Sequence, residues 1–181
     1  MAAETKPKAK VATVWLDGCS GCHMSLLDID EAILAVARKA NIVYGPLVDA
    51  QEFPETVDVT LVEGAVSSLD DLKLVQKIRK RTKLLIAFGD CAVTSNVPSM
   101  RNGIPTKKLL ERIYVEGSTD GKKPPTEGVP ALLKNALPVH EVVKVDMHIP
   151  GCPPKPDAIA YVLTELLDGR KPDLASKVKF G

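Results

Sequence analysis

Three short apolar runs in this chain end in the same way. Residues 11–16, 83–88 and 142–149 each lead, within two residues, into a glycine and then a cysteine. The junctions read Asp17-Gly18-Cys19-Ser20-Gly21-Cys22, Gly89-Asp90-Cys91 and Pro150-Gly151-Cys152-Pro153. Short apolar runs bounded by Gly and Pro are expected to be β-strands. Cys19, Cys22, Cys91 and Cys152 are all the cysteines of the 181-residue chain. One close pair and two distant singles make four thiols, and only a folded scaffold could bring them together.

The segments between the runs carry helical signals. Ser25 with Asp28 resembles a capping box. Leu26, Ile29, Ile33 and Ala40 then follow helical spacing, with acids leading and Arg38 and Lys39 closing, as the helix dipole favours. Runs at 41–48 and 57–62 are read as the second and third strands, the third leading into Glu63-Gly64-Ala65. Ser68 and Asp71 open a further helix with Leu72, Val75 and Ile78 inward. Pro156 suits the first turn of a last helix, with Gly169 just past its end. Strand and helix alternating in this rhythm predict an α/β fold: a doubly wound, mostly parallel sheet with helices on both faces. Residues 1–10 are expected to be a disordered tail, and 11–181 one domain. The stretch 92–128 breaks the rhythm, with only a short helical piece near 107–114. It is read as a cover or partner-contact insert, or as a solvated loop.

Formal net charge is +1 and the basic residues are dispersed, so nucleic-acid binding is not suggested. No apolar run approaches a membrane span, and no membrane role is expected. Residues 1–10 lack an apolar leader or a twin-arginine pair, which points to the cytoplasm. Disulfides are disfavoured there, so the cysteines suggest metal or redox chemistry.

All the cysteine loops, and Glu63-Gly64-Ala65, leave the carboxyl ends of strands. In an open parallel sheet that edge is where sites form. It also presents helix amino ends, which favour anions. A 4Fe–4S cluster held by four thiolates carries about −2 when oxidised and suits such an edge. Gly18, Gly21, Gly89 and Gly151 permit close backbone approach, and Pro153 stiffens the last loop. Zinc is a rival, although its structural sites usually use paired knuckles. A thioredoxin-like pair at Cys19 and Cys22 would leave Cys91 and Cys152 unused. Unligated core cysteines would not be expected in loops after glycine. His23 is read as a capping or surface residue, and His148 as a satisfied polar group on the last strand. Asp17, Glu63 and Asp90 flank the site, as proton relays or as structural hydrogen-bonding groups.

At this point the chain resembles the small subunit of a nickel–iron hydrogenase, related to the cluster-bearing 20 kDa subunit of NADH dehydrogenases. The resemblance rests on Gly18-Cys19-Ser20-Gly21-Cys22, Glu63-Gly64-Ala65, Gly89-Asp90-Cys91 and Pro150-Gly151-Cys152-Pro153, in that order. It implies a flavodoxin-like domain whose four matching cysteines bind one proximal 4Fe–4S cluster, with Gly18, Gly21, Glu63, Gly64, Gly89, Gly151 and Pro153 around it. Ser20 and Gly21 separate the first two cysteines, where the NADH dehydrogenase relative has adjacent cysteines. The stretch from Ser20 to Glu31 is similar to soluble NAD-reducing hydrogenases. That implies an electron relay in a hydrogen dehydrogenase, with no catalytic residue on this chain. A large subunit would hold the nickel–iron centre. Diaphorase subunits would hold FMN, further iron–sulfur clusters and the NAD site, with no FMN expected here. Deazaflavin-reducing and energy-converting hydrogenases are the sister alternatives. A zinc-stapled, non-redox interaction module is the alternative of another class.

Overall fold

The computed structural model describes residues 7–119, 123–175 and 177–180. Residues 1–6 of the expected tail, and 120–122 of the expected insert, lie outside that description. Five parallel strands form the main sheet: β1 (Ala9–Trp15), β2 (Ala40–Tyr44), β3 (Val57–Glu63), β5 (Thr82–Phe88) and β7 (Met147–Ile149). Their spatial order is β2-β1-β3-β5-β7. That is the doubly wound order of flavodoxin-like folds, with crossover connections on both faces. A separate antiparallel pair joins β4 (Val66–Ser68) to β6 (Leu132–Leu137).

Alternation along the strands builds two cores. Ala12, Val14, Val62, Leu85 and Ala87 face one layer, with Val75 and Ile78 of α3 (Leu69–Arg81). Val11, Leu61, Ile86, Phe88 and Ile149 face the other. There they meet α1 (Gly21–Leu27), α2 (Ala32–Lys39) and α6 (Pro156–Leu167) through Cys22, Val36, Ile159 and Val162. Neighbours in sequence feed opposite faces because strand side chains alternate.

The α3 terminus forms as its sequence predicts. Ser68 accepts the Asp71 N–H at 3.1 Å, and the Asp71 carboxylate accepts the Ser68 N–H at 2.9 Å. Ser68→Ala removes one half of this reciprocal cap and is expected to cost about 1 kcal/mol. The shift in urea unfolding midpoint measures it.

Several elements differ from the sequence expectation, each for a local reason. The single helix expected after Ser25 is two helices. It begins earlier, behind Ser20 in a left-handed conformation (φ 67°), and breaks at Asp30 (φ 50°). Ser25 is not a cap; it is buried, and its hydroxyl donates to the Pro154 carbonyl at 2.5 Å. The second strand stops at Tyr44, before Gly45 and Pro46, where proline offers no ladder donor. The last strand is only Met147–Ile149 rather than 142–149. Asp146 replaces its next rung: its N–H donates to the Leu85 carbonyl at 2.9 Å, while its carboxylate accepts the Leu85 N–H at 2.8 Å.

The stretch 92–128 is not irregular throughout. A short α4 (Asp90–Thr94) leads into a 3-10 segment Val97–Gly103, then α5 (Thr106–Glu111) and a π turn Arg112–Glu116. The 3-10 segment is tied to β6. Arg101 donates to the Leu133 and Ser67 carbonyls, and Asn102 exchanges hydrogen bonds with the Ala136 backbone at 2.9 and 2.8 Å. Among the described residues, no helix is long and apolar enough to cross a membrane.

Candidate metal centre

The strands that carry the site end on one line. Trp15 pairs with Glu63, Glu63 with Phe88, and Phe88 with Ile149. The loops that follow therefore leave the sheet at the same level.

Each loop is fastened to its neighbour. Asp17 and Ala65 exchange backbone hydrogen bonds of 3.1 and 2.7 Å, locking the loop after β1 onto the loop after β3. Gly64 sits in this crossing at φ +90°, and a Cβ there would lie 2.8 Å from the Leu16 carbonyl carbon. Only glycine suits both the conformation and the space. On the other side, the Gly89 N–H donates to the Ile149 carbonyl at 2.8 Å, and the Asp90 N–H to the Gly151 carbonyl at 2.9 Å. The Asp90 carboxylate accepts the Gly151 N–H at 2.6 Å. The Cys91 and Cys152 loops are thus stitched together through the residue preceding each cysteine.

These fastenings bring all four cysteines to one cavity of about 70 Å³, which Gly21, Glu63, Asp90, Gly151 and Pro153 also line. Of the other glycines expected near it, Gly18, Gly64 and Gly89 do not line the cavity. Gly18 packs on Gly64, and Gly89 lies behind Cys22. Cys22 is buried and Cys91 half-buried, while Cys19 and Cys152 are exposed; none is in a disulfide. Asn96 donates through Nδ2 to Cys152 Sγ at 3.5 Å, and the Val97 N–H donates to the Cys91 sulfur.

Electrostatics follow from this crowding. Burial, then the Glu63 carboxylate and the other three thiols, pushes the Cys22 thiol far above its ordinary range. Burial and the Cys19 and Cys152 thiols raise Cys91 to about 11. Four such thiolates are mutually repulsive without a cationic partner, and metal binding is what would release their protons. A mononuclear site needs its sulfurs about 2.3 Å from one point. Among the described residues no group of three or more His, Cys, Asp or Glu side chains is placed to hold a single metal ion. The thiols instead stand around a cavity, and this donor set fits a polynuclear, thiolate-ligated iron–sulfur group.

His23 departs from its expected surface role. It is 3% exposed, stacked under Trp15 and edge-on to Phe88. Its backbone N–H donates to Glu63 Oε2 at 3.1 Å, and its Nδ1 contacts the same oxygen. Glu63, itself 1% exposed, therefore braces the turn that carries Cys22. Glu63→Ala strips two buried groups of their partner, at about 1–3 kcal/mol each. Its unfolding free energy, from chemical denaturation, is expected to fall by roughly 2–6 kcal/mol. His148 is exposed and pairs edge to face with His140; neither lines the cavity.

The sequence signals that could have disclosed Asn96 and the buried His23 are weak. Both act through long-range contacts that no local pattern encodes.

Residues 19–166 match the family described as the NADH ubiquinone oxidoreductase 20 kDa subunit. The chain is 40% identical over 183 residues to the NAD-reducing hydrogenase HoxS subunit delta of Cupriavidus necator, covering 98% of this chain and 88% of that protein. It is 41% identical over 171 residues to a vhu F420-non-reducing hydrogenase protein from Methanocaldococcus jannaschii. That match takes in 93% of this chain but only 59% of the archaeal protein's length. Among solved structures, a chain of an NAD⁺-reducing [NiFe]-hydrogenase in the H2-reduced state superposes with a TM-score of 0.92 at 33% identity. The match covers 97% of this chain and 100% of that one. A [NiFeSe] hydrogenase chain from Desulfovibrio vulgaris Hildenborough shares the fold, at a TM-score of 0.59 and 20% identity, covering 91% of this chain and 61% of that one.

Proposed function

The chain belongs to the NADH ubiquinone oxidoreductase 20 kDa subunit family, and on that premise we propose that it is the electron-transfer small subunit of an NAD-reducing nickel–iron hydrogenase. Cys19, Cys22, Cys91 and Cys152 are the ligands of one 4Fe–4S cluster. The observation that carries this reading is the meeting of all four cysteines at one cavity on the carboxyl edge of the sheet. A cluster bound there would accept and release one electron at a time.

The chain's own residues supply the setting. Asn96 donates to the Cys152 sulfur, and the Val97 backbone amide partly offsets the upward push on the Cys91 thiol. Glu63 and His23 hold the Cys22 turn rigid. Asp90 holds Cys91 and Cys152 at a fixed spacing through Gly151. A large subunit would split hydrogen at a nickel–iron centre. Diaphorase subunits carrying FMN, further iron–sulfur clusters and the NAD site would take the electrons in the cytoplasm, with the reaction of a hydrogen dehydrogenase.

A second reading rests on an archaeal relative named as a coenzyme F420 hydrogenase subunit gamma; the Methanocaldococcus relative is by name F420-non-reducing and does not support it. The structural likeness supports the first: the chain superposes on a chain of an NAD⁺-reducing [NiFe]-hydrogenase with a TM-score of 0.92 at 33% identity. The assembled complex decides between them. Hydrogen-driven reduction of NAD⁺ is expected, and reduction of a deazaflavin in its place would assign the chain to the sister enzymes.

A further inference from the structure

Cys91 and Cys152 follow different strands, yet one short turn touches the sulfurs of both. α4 closes where the Ser95 N–H donates to the Cys91 carbonyl at 3.1 Å, with Ser95 left-handed at φ 63°. Ser95 is 1% exposed, so the turn is buried at its start. The next two residues then meet the candidate ligands. Asn96 Nδ2 donates to Cys152 Sγ at 3.5 Å, and the Val97 backbone N–H donates to the Cys91 sulfur.

The Asn96 backbone is fixed on both sides. Its carbonyl accepts the Ser99 N–H at 3.2 Å and the Ser99 hydroxyl at 2.7 Å. Pro98, in the first turn of the 3-10 segment, locks a φ angle between them. Further on, Arg101 and Asn102 fasten the same segment to β6. A donor anchored in this way needs little rearrangement when charge arrives at its acceptor. The donor set also meets two different fields. Cys22 stands near the Glu63 carboxylate, which opposes further negative charge there. Cys152 instead faces the positive end of an N–H dipole.

One-electron reduction adds a negative charge to an iron–sulfur group, and hydrogen bonds to its sulfurs help to set the potential. A hydrogen bond strengthens as its acceptor gains charge. We propose that Asn96 sets the reduction potential of the relay: through Cys152 it stabilises the reduced state and raises the potential. It is a positioning residue that acts through a ligand. The inference rests on the relay reading above. It adds which side chain, outside the ligand set, poises that relay for its one-electron step.

The test is a redox titration of the full-length chain, purified without oxygen and followed by its visible absorbance. With one cluster per chain the signal has a single source. Asn96→Ala deletes the donor. Asn96→Asp keeps the shape and places a carboxylate beside the sulfur. Asn96 is half-buried and belongs to neither hydrophobic core, so both variants are expected to keep the fold and the parental iron content. At the parent's midpoint potential, the reduced-to-oxidised ratio in Asn96→Ala should fall about ten-fold, a downward shift of about 59 mV for one electron. Asn96→Asp should shift further down, because a like charge is added to the lost donor. A merely structural role would lower iron content and leave the potential of the remaining clusters alone. An unchanged or raised potential in both variants overturns the assignment. So does loss of iron from both, which would make Asn96 a prop of the ligand loops. A parent chain that binds zinc and no iron would instead sink the relay reading itself.

Discussion

Cys19→Ala is expected to abolish hydrogen-driven NAD⁺ reduction by the assembled enzyme, by at least about 100-fold, more than a group supporting a metal ligand commonly contributes. NADH-driven dye reduction, which needs only the diaphorase, should continue at the parental rate. The choice of Cys19 matters. It is exposed and belongs to neither hydrophobic core, whereas Cys22 is part of one. Removing the Cys19 sulfur therefore deletes one donor and leaves the packing alone. Cys22→Ala would confound the two, because it also opens a void against the sheet. Rates measured with hydrogen and with NADH on the same preparation separate the relay from the diaphorase. Undiminished hydrogen-driven activity would remove Cys19 from the ligand set.

Gly89→Ala is the second large effect, and it works through shape. Gly89 ends β5 at φ 82°, ψ 161°, a region reserved almost wholly for glycine and costing any other residue about 1–3 kcal/mol. Its added Cβ would also lie 2.1 Å from Cys22 Sγ, so the sulfur must leave its place. That sulfur is buried, and Gly89 is fixed by its own hydrogen bond to Ile149. We expect loss of stability of roughly 2–4 kcal/mol, from strain and overpacking together, and loss of iron from the purified protein. Gly169→Ala is the control. It has φ 74° but nothing within 4 Å of an added Cβ. It should cost about 1 kcal/mol and leave the iron content unchanged. Iron analysis and denaturant midpoints on the two variants report both quantities. Full iron content in Gly89→Ala would mean that Cys22 is not held where the structure places it.

The parts of this molecule that can be read from sequence are those whose causes are local. Glycine followed by cysteine at the ends of apolar runs marks strand termini directly. The strand register then places those termini side by side. Ser68 and Asp71 disclose their cap because both halves lie within one turn. The β4–β6 pair is hidden for the opposite reason. Leu132–Leu137 has no β-branched residue, and its partner and its anchors, Arg101 and Asn102, lie far away in the chain. The break between α1 and α2 depends on a left-handed Asp30, which helical periodicity does not report. The last strand is shorter than its apolar run because Val142, Val143 and Val145 are apolar through core packing without being paired. His23 reads as a surface residue in the sequence because its partner, Glu63, arrives from a different strand. The same long-range packing makes Glu63 more than a flanking carboxylate: it is the buried brace of the ligand turn.

If Cys19, Cys22, Cys91 and Cys152 together hold a single iron–sulfur cluster, the metal content of the chain must show it. Iron, acid-labile sulfide and zinc are measured on the chain purified without oxygen. About four iron and four sulfide per chain, with negligible zinc and a broad thiolate-to-iron absorbance, is the predicted result. About one zinc per chain with no sulfide, in a colourless protein, would contradict it and make the chain a zinc-stapled module.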